Sequence, residues 1–419
     1  MTASTTPRVT PAQIAGVTLG NALEFYDFLV FTFFAVEIGK AFFPSADPQI
    51  SLLSSLATFG AGFLTRPLGG VVLGMLGDRV GRRPAMLISF ALIGLASLAV
   101  ALTPSYAAIG VAAPVLVLVW RLVQGFALGG EVGPSTAFLV EAAPPHRRGL
   151  YVSMQMLGQN AAVLVAGLVG VALAAVMSEV ALSIWGWRIA MALGVLVVPI
   201  GLSLRRTLPE TAEHDATTPP PPVRSYARTA AIAFMLLLAG TISTYVTNYL
   251  TTYAKTTLKL PSDTAFWGTV AVGIGGTIGA PLGGWLADRY GRRPVVITGM
   301  ALACLAGVPF FELVSTVPGK SSLFAAGLVL RLLVGVATTA ALVWMTEDFP
   351  ARVRSGALSI VYALAISIFG GTTQFVAAWL TGVTGNPLSP AWYMTGAIVL
   401  GLIAALYIRE APRRREPIA

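Results

Sequence analysis

Twelve apolar stretches of about 20 residues, separated by short linkers rich in charge and turn formers, constrain this chain more than any single motif. They run near 13–38, 51–76, 85–103, 109–139, 150–177, 186–204, 229–253, 264–287, 294–314, 323–346, 356–382 and 391–408. A hydrocarbon layer about 30 Å thick is crossed by a helix of that length, and lipid tolerates only structures that satisfy their own backbone hydrogen bonds. The runs are too long and continuous for barrel strands. Composition agrees: of 419 residues, 56% are hydrophobic and 11% charged, against about 45–50% and 25% in soluble domains. The expected fold is an all-α membrane protein, with the lipid bilayer as its main surroundings.

The same numbers exclude several function classes. One cysteine and two histidines, His146 and His214, give no basis for a metal site. A net charge of +9 on so apolar a chain leaves no solvated basic face for nucleic acid. It reads instead as topology. If both termini share one side, that side carries 19 Lys/Arg residues in its loops and the other carries five, Lys40, Arg188, Lys255, Lys259 and Lys320. The excess of positive charge places both termini in the cytoplasm. No nucleophile elbow or H-E-x-x-H pair suggests an enzyme.

The linker 205–228, with Pro219 to Pro222 in a row, divides the spans six and six. The domains expected are therefore a bundle over 1–204, the cytoplasmic linker, and a second bundle over 229–419 ending in a short basic tail. The halves repeat at a spacing of 210 residues. Asp78-Arg79-Val80-Gly81-Arg82-Arg83 recurs as Asp288-Arg289-Tyr290-Gly291-Arg292-Arg293, and Arg121-Leu122-Val123-Gln124-Gly125 as Arg331-Leu332-Leu333-Val334-Gly335. Parallel repeats of this kind describe a carrier that rocks two pseudo-symmetric bundles around a midplane site.

D-R-x-G-R-R after spans 2 and 8, with R-x-x-Q-G in span 4, resembles the major facilitator superfamily. Asn21-Ala22-Leu23-Glu24-Phe25-Tyr26-Asp27-Phe28, Gly62-Phe63-Leu64-Thr65-Arg66-Pro67, Trp185-Gly186-Trp187-Arg188 and Phe369-Gly370-Gly371 resemble its metabolite:proton symporters, which carry citrate, 2-oxoglutarate, shikimate or proline/betaine. Span 1 and the following Gly39-Lys40-Ala41-Phe42-Phe43-Pro44 look most like the citrate-proton branch. The resemblance implies the major facilitator fold and a multi-pass protein of the bacterial inner membrane. It also implies a small organic acid as substrate, the proton as coupling ion and no other cofactor. A monomer is expected. A carrier of zwitterionic osmolytes and a drug/proton antiporter are the alternatives.

An ionisable side chain at bilayer depth costs about 2.5–3.5 kcal/mol on insertion scales, so each marks a functional candidate. At 1.5 Å per residue, Glu24 and Asp27 lie roughly 16–21 Å along span 1, near mid-membrane. Glu37 falls towards the outer, solvated end. Asp27 paired with Arg121 is the expected proton switch, in keeping with the Asp and Arg at matching positions in the related sugar porters. Glu24 and Glu131 are further proton-coupling candidates. The competing interpretation is that such charges only brace helices. Arg66 and Arg331 are the cations expected to meet a carboxylate, whose two oxygens suit a guanidinium fork. Asn21, Tyr26, Gln155, Gln159, Asn160, Tyr245, Asn248, Tyr249, Tyr362 and Gln374 are the neutral substrate-binding candidates. The loop motifs Asp78, Arg79, Gly81, Arg82, Arg83 and Asp288, Arg289, Gly291, Arg292, Arg293 are expected to brace helix ends as a gate rather than bind phosphate.

Overall fold

The computed structural model describes residues 11–80, 82–129, 136, 139–140, 143–195, 199, 224, 226–350 and 354–410. For 11–13, 77–80, 82–86, 145, 354 and 355 the description covers the backbone alone. The helices succeed one another as expected. α1 runs over Pro11–Phe33 and resumes over Ala35–Phe42; α2 comprises Pro48–Ala61 and Arg66–Val80. α3 is Arg82–Leu102, α4 Ala112–Leu128 and α5 Arg148–Val176. α6 is described over Glu179–Ala181, a π-turn at Leu182–Gly186, and Trp187–Val195. α7 covers Ala227–Asn248 and Leu250–Thr256, followed by α8 (Ser262–Tyr290), α9 (Arg292–Thr316) and α10 (Lys320–Asp348). α11 is Arg354–Ala365, a π-turn at Ile366–Gly370, and Gly371–Thr384; α12 is Ser389–Leu406.

Nine of the described helices are long and apolar enough to cross a membrane, and Leu87–Leu102 and Ala112–Leu128 are shorter apolar helices. Helix ends follow local chemistry. Asp47 accepts from Gln49 N at 2.8 Å and Pro48 opens α2, where a missing N–H is harmless. Gly291 joins α8 to α9 at φ +104°, a conformation that penalises any side chain. Besides the π-turns of α6 and α11, three described spans depart from the continuous rods expected, α7 by a break at Tyr249. α1 is interrupted at Phe34, with φ −108° and ψ 22°, and α2 by a turn over 62–65.

Between α2 and α4 the backbones meet without side chains: a Cβ on Gly125 would collide with the Gly62 carbonyl. This is the small-residue packing that lipid-embedded helices rely on, since burial gains little there. It brings Arg121, one turn away, against α1 and α2.

The two halves meet at both ends. On the face opposite the Arg-rich linkers, Lys255 (α7) donates to Glu37 (α1) at 2.8 Å. Gln49 (α2) donates to the Ala378 carbonyl (α11) at 2.9 Å, and the Thr32 hydroxyl bonds Gln374. Glu179 accepts from both N and Oγ of Ser262, each at 2.8 Å. On the basic face, Asp288 at the end of α8 accepts from Gly149 N at 2.8 Å and Leu150 N at 3.0 Å, the first amides of α5.

Because neither backbone at the α2–α4 contact has a side chain to move aside, Gly125→Val should lower apparent melting in detergent. The expected cost is about 1–3 kcal/mol of overpacking. Gly396, with nothing within 4 Å of an added Cβ, is the control: Gly396→Ala should melt like the parent protein.

Candidate functional site

The midplane site is built from α1 outward. Asp27 is 1% exposed, and its Oδ2 receives both the Ser97 hydroxyl of α3 and Gln124 Nε2 of α4, the latter at 3.1 Å. Gln124 Nε2 also lies 2.5 Å from Ser97 Oγ, while its Oε1 accepts from Arg121 Nη1 at 2.7 Å. Arg121 therefore reaches Asp27 through an amide and makes no direct ion pair with it, which corrects the expected pairing. The one-turn offset of Arg121 and Gln124 puts both on one face of α4. The amide fills the gap that a direct contact would have closed.

Aromatic faces surround the Arg121 guanidinium: Phe28 at 4.3 Å, Phe31 at 4.5 Å and Phe59 at 5.1 Å from ring centroids. Such contacts compensate a desolvated cation with the negative face of the ring. Arg66 stands on the other side of this cluster, 5.2 Å from Phe28 and 5.0 Å from Phe63. Phe28 thus contacts both guanidiniums.

Arg66 and Arg331 line a central cavity that is open at its mouth. Gln159, Tyr245, Asn248 and Tyr362 also line it. Its wall continues through Leu236, ten residues into α7, and Met345, near the basic-face end of α10. Arg331 is held by Asn160 Oδ1 at 2.9 Å and Thr244 Oγ1 at 2.5 Å. Arg66 differs: its buried Nε and Nη2 have no hydrogen-bond partner. No carboxylate lines the cavity among the described residues.

Other expected substrate ligands sit elsewhere. Asn21 and Gln155 are fully buried and do not line the cavity. Asn160 supports Arg331 instead of facing the space. Tyr26 points to α6 and donates to the Ala190 carbonyl at 3.0 Å. Tyr249 is buried outside the lining, and Gln374 takes the cross-bundle contact with Thr32. Helix rotation turns Asn21, Tyr26 and Gln155 from the central space, and Tyr249 and Gln374 lie towards the outer ends of their helices. Glu24, 1% exposed, is buried one turn before Asp27 and does not line the cavity. Glu131 and Gly81 lie outside the described residues, as do the side chains of Asp78, Arg79, Arg82 and Arg83.

The second loop motif braces helix ends. Arg292 bonds Glu347 through Nε and Nη2, both at 2.8 Å, and reaches Asp288 at 3.4 Å. Arg293 Nη2 donates to the Leu406 carbonyl at 2.9 Å, and Arg289 lies 5.4 Å from the Trp285 ring. At the other end, Glu37 is buried in its pair with Lys255, contrary to the solvated position expected from depth alone. Gln124 is the residue that sequence reasoning overlooked. Its signal was present, one turn after Arg121 in R-x-x-Q-G.

Comparison with known proteins fixes the family. The family profile described as "Sugar (and other) transporter" matches residues 14–215, and "Major Facilitator Superfamily" matches 232–419. A citrate-proton symporter of Klebsiella pneumoniae is 38% identical, over 94% of this chain and 91% of that protein. The chain belongs to the major facilitator superfamily. Within this superfamily, an alpha-ketoglutarate permease of Escherichia coli K12 is 34% identical over 95% of this chain and 93% of its own length. A proline/betaine transporter of the same strain is 32% identical, over 96% of this chain and 84% of that protein. The structure of the proton:xylose symporter XylE with 6-bromo-6-deoxy-D-glucose superposes with a TM-score of 0.75 at 19% identity. It covers 95% of this chain and 96% of that one, and shows the shared twelve-helix fold.

Removing one member of a buried ion pair strands the other charge, at a cost of about 3–5 kcal/mol. Glu37→Gln should therefore lower the melting temperature more than the double variant Glu37→Gln/Lys255→Gln. Thermal unfolding of the purified proteins measures the difference.

Proposed function

We propose that this protein is a proton-coupled symporter that imports a small organic carboxylate, such as citrate or another di- or tricarboxylate, by alternating access. The observation that carries the reading is the pair of cavity arginines with no described acid beside them. Arg66 offers two unpartnered guanidinium nitrogens, a planar fork matched to carboxylate oxygens. Arg331, oriented by Asn160 and Thr244, adds a second positive charge from the other half. Gln159, Tyr245, Asn248 and Tyr362 supply neutral polar groups around them. The names of the citrate and alpha-ketoglutarate relatives support the same substrate class.

A proline or betaine carrier must also receive a cationic nitrogen. Only aromatic faces such as Phe25, Tyr245 and Tyr362 are available for that among the described lining residues. A drug antiporter would gain from a mostly apolar pocket and a lining acid, and two arginines oppose a cationic cargo. Both alternatives are weaker for this cavity.

In the proposed cycle Asp27 takes a proton from the outer side and substrate enters beside Arg66 and Arg331. The bundles 1–204 and 229–419, joined by the linker 205–228, then rock, and Asp27 releases its proton inside. The positive-inside pattern supports cytoplasmic termini, and the bacterial relatives support the cytoplasmic (inner) membrane.

Proteoliposomes should accumulate labelled citrate only under an inward proton gradient, and excess betaine should not compete. Charged hydrogen bonds contribute about 1.5–3 kcal/mol, so Arg66→Gln should reduce kcat/KM for citrate uptake about 10–100-fold. Asp27→Asn should abolish uphill accumulation. Competition by betaine instead of citrate would overturn the substrate assignment, and unimpaired accumulation by Asp27→Asn would remove that acid from the mechanism.

A further inference from the structure

We infer that Gln124 is a positioning residue for proton coupling, the two-ended amide through which Arg121 acts on Asp27. The inference rests on the proton-symport reading and adds to it a residue whose loss should separate proton coupling from substrate movement.

The orientation of the amide follows from elementary donor and acceptor chemistry. Arginine can only donate, so the Gln124 end facing Arg121 at 2.7 Å must be the carbonyl oxygen. The NH2 end is thereby directed to Asp27 Oδ2 and Ser97 Oγ, at 3.1 Å and 2.5 Å. Ser97 accepts from that amide and donates its own hydroxyl to Asp27 Oδ2. Every donor in the chain therefore points from the guanidinium towards the carboxylate. Arg121, Gln124 and Ser97 are fully buried, and Asp27 is 1% exposed, so water does not screen the series.

The two oxygens of Asp27 consequently differ. Oδ2 is committed to two donors, whereas Oδ1 has no hydrogen-bond partner. Oδ1 faces the backbone of α6 at Gly194, where an added Cβ would stand 2.5 Å from it. The proton is carried on Oδ1, and the donor chain on Oδ2 holds the carboxylate ready to release it. Arg121 is the charged group facing Asp27 from the packed helices; Ser97 and Gln124 face it as neutral donors, and Gly194 contributes only backbone. On its own helix the titratable neighbours are Glu24 and Tyr26, the latter turned to the Ala190 carbonyl.

Removing the amide takes one donor from the carboxylate and disconnects the Arg121 end. Both effects favour protonated Asp27 and raise its titration midpoint. An acid that stays protonated at internal pH cannot discharge its proton, so net uptake fails. Substrate exchange, which needs no such release, continues.

The test uses the full-length protein and two measurements. The first is the pH dependence of melting temperature in detergent, taken as the difference from Asp27→Asn, which reads protonation of Asp27 without any substrate. The second compares gradient-driven citrate accumulation with citrate counterflow in proteoliposomes. For Gln124→Met the midpoint should rise by about one pH unit. Accumulation should fall about tenfold while counterflow falls no more than about threefold. Gln124→Glu, which keeps an acceptor for Arg121 but places a second acid beside Asp27, should raise the midpoint further. If Gln124→Met does not fold, Ser97→Ala removes the terminal donor of the same chain and should move the midpoint in the same direction. An unmoved midpoint, or equal loss of accumulation and counterflow in a folded variant, overturns the inference. Failure of the parent protein to accumulate citrate would instead overturn the substrate reading, and the melting measurement would still decide the role of Gln124.

Discussion

A guanidinium in a low-dielectric interior must find acceptors or aromatic faces, because moving its charge from water is costly and it does not readily lose its proton. Arg121 meets that requirement with Phe28, Phe31 and Phe59 around it and the Gln124 carbonyl at one end. Much of the first half is arranged by this need. The aromatic residues come from α1 and α2, so the same cation that orders the Asp27 network also holds those helices against α4. Close approach at Gly62 and Gly125 brings the helices near enough for those contacts.

The contact between Phe28 and both Arg121 and Arg66 joins two chemically different regions. On one side, a buried donor chain leads to an acid. On the other, an arginine with unpartnered nitrogens lines a cavity. Movement of either guanidinium changes the packing environment of the same ring. Arg331 contrasts with Arg66 because the hydrogen bonds it donates to Asn160 and Thr244 fix its orientation. Thus the cavity contains one cation held by protein groups and another with hydrogen-bonding capacity to spare.

The sequence pattern located the helices well because apolar length and charged linkers report directly on bilayer thickness. Their ends usually extend two or three residues beyond the apolar runs, as at Arg148, Arg292 and Asp348, where polar side chains join the terminal turns. The interruption at Phe34, the turn over 62–65 and the π-turn at 366–370 depend on backbone register and neighbouring packing, for which local hydrophobicity carries little signal. Site prediction divided along the same physical line. Rise per residue gives depth, so Arg66, Gln159, Tyr245, Asn248, Arg331 and Tyr362 reached the cavity level. Azimuth depends on how each helix is rotated in its bundle. Tyr26, Asn21 and Gln155 therefore had suitable depth but lie away from the cavity lining.

Acidic residues separate by what their oxygens already bind. Asp288 spends its two oxygens on the first amides of α5, while Glu179 accepts from the amide and hydroxyl that open α8. Because α5 and α8 run antiparallel, each acid caps the helix of the opposite half, and its negative charge complements that helix's positive end. Glu347 is similarly occupied by the Arg292 fork, and Glu37 by Lys255. These pairings join structural elements at the ends of the molecule. Asp27 occupies a different setting: one oxygen receives the Ser97 and Gln124 donors, and the other retains an unpartnered position beside Gly194. The same carboxylate chemistry therefore fastens helices at the periphery through cations and helix-end amides, whereas at the centre Asp27 meets only the neutral donors of Ser97 and Gln124.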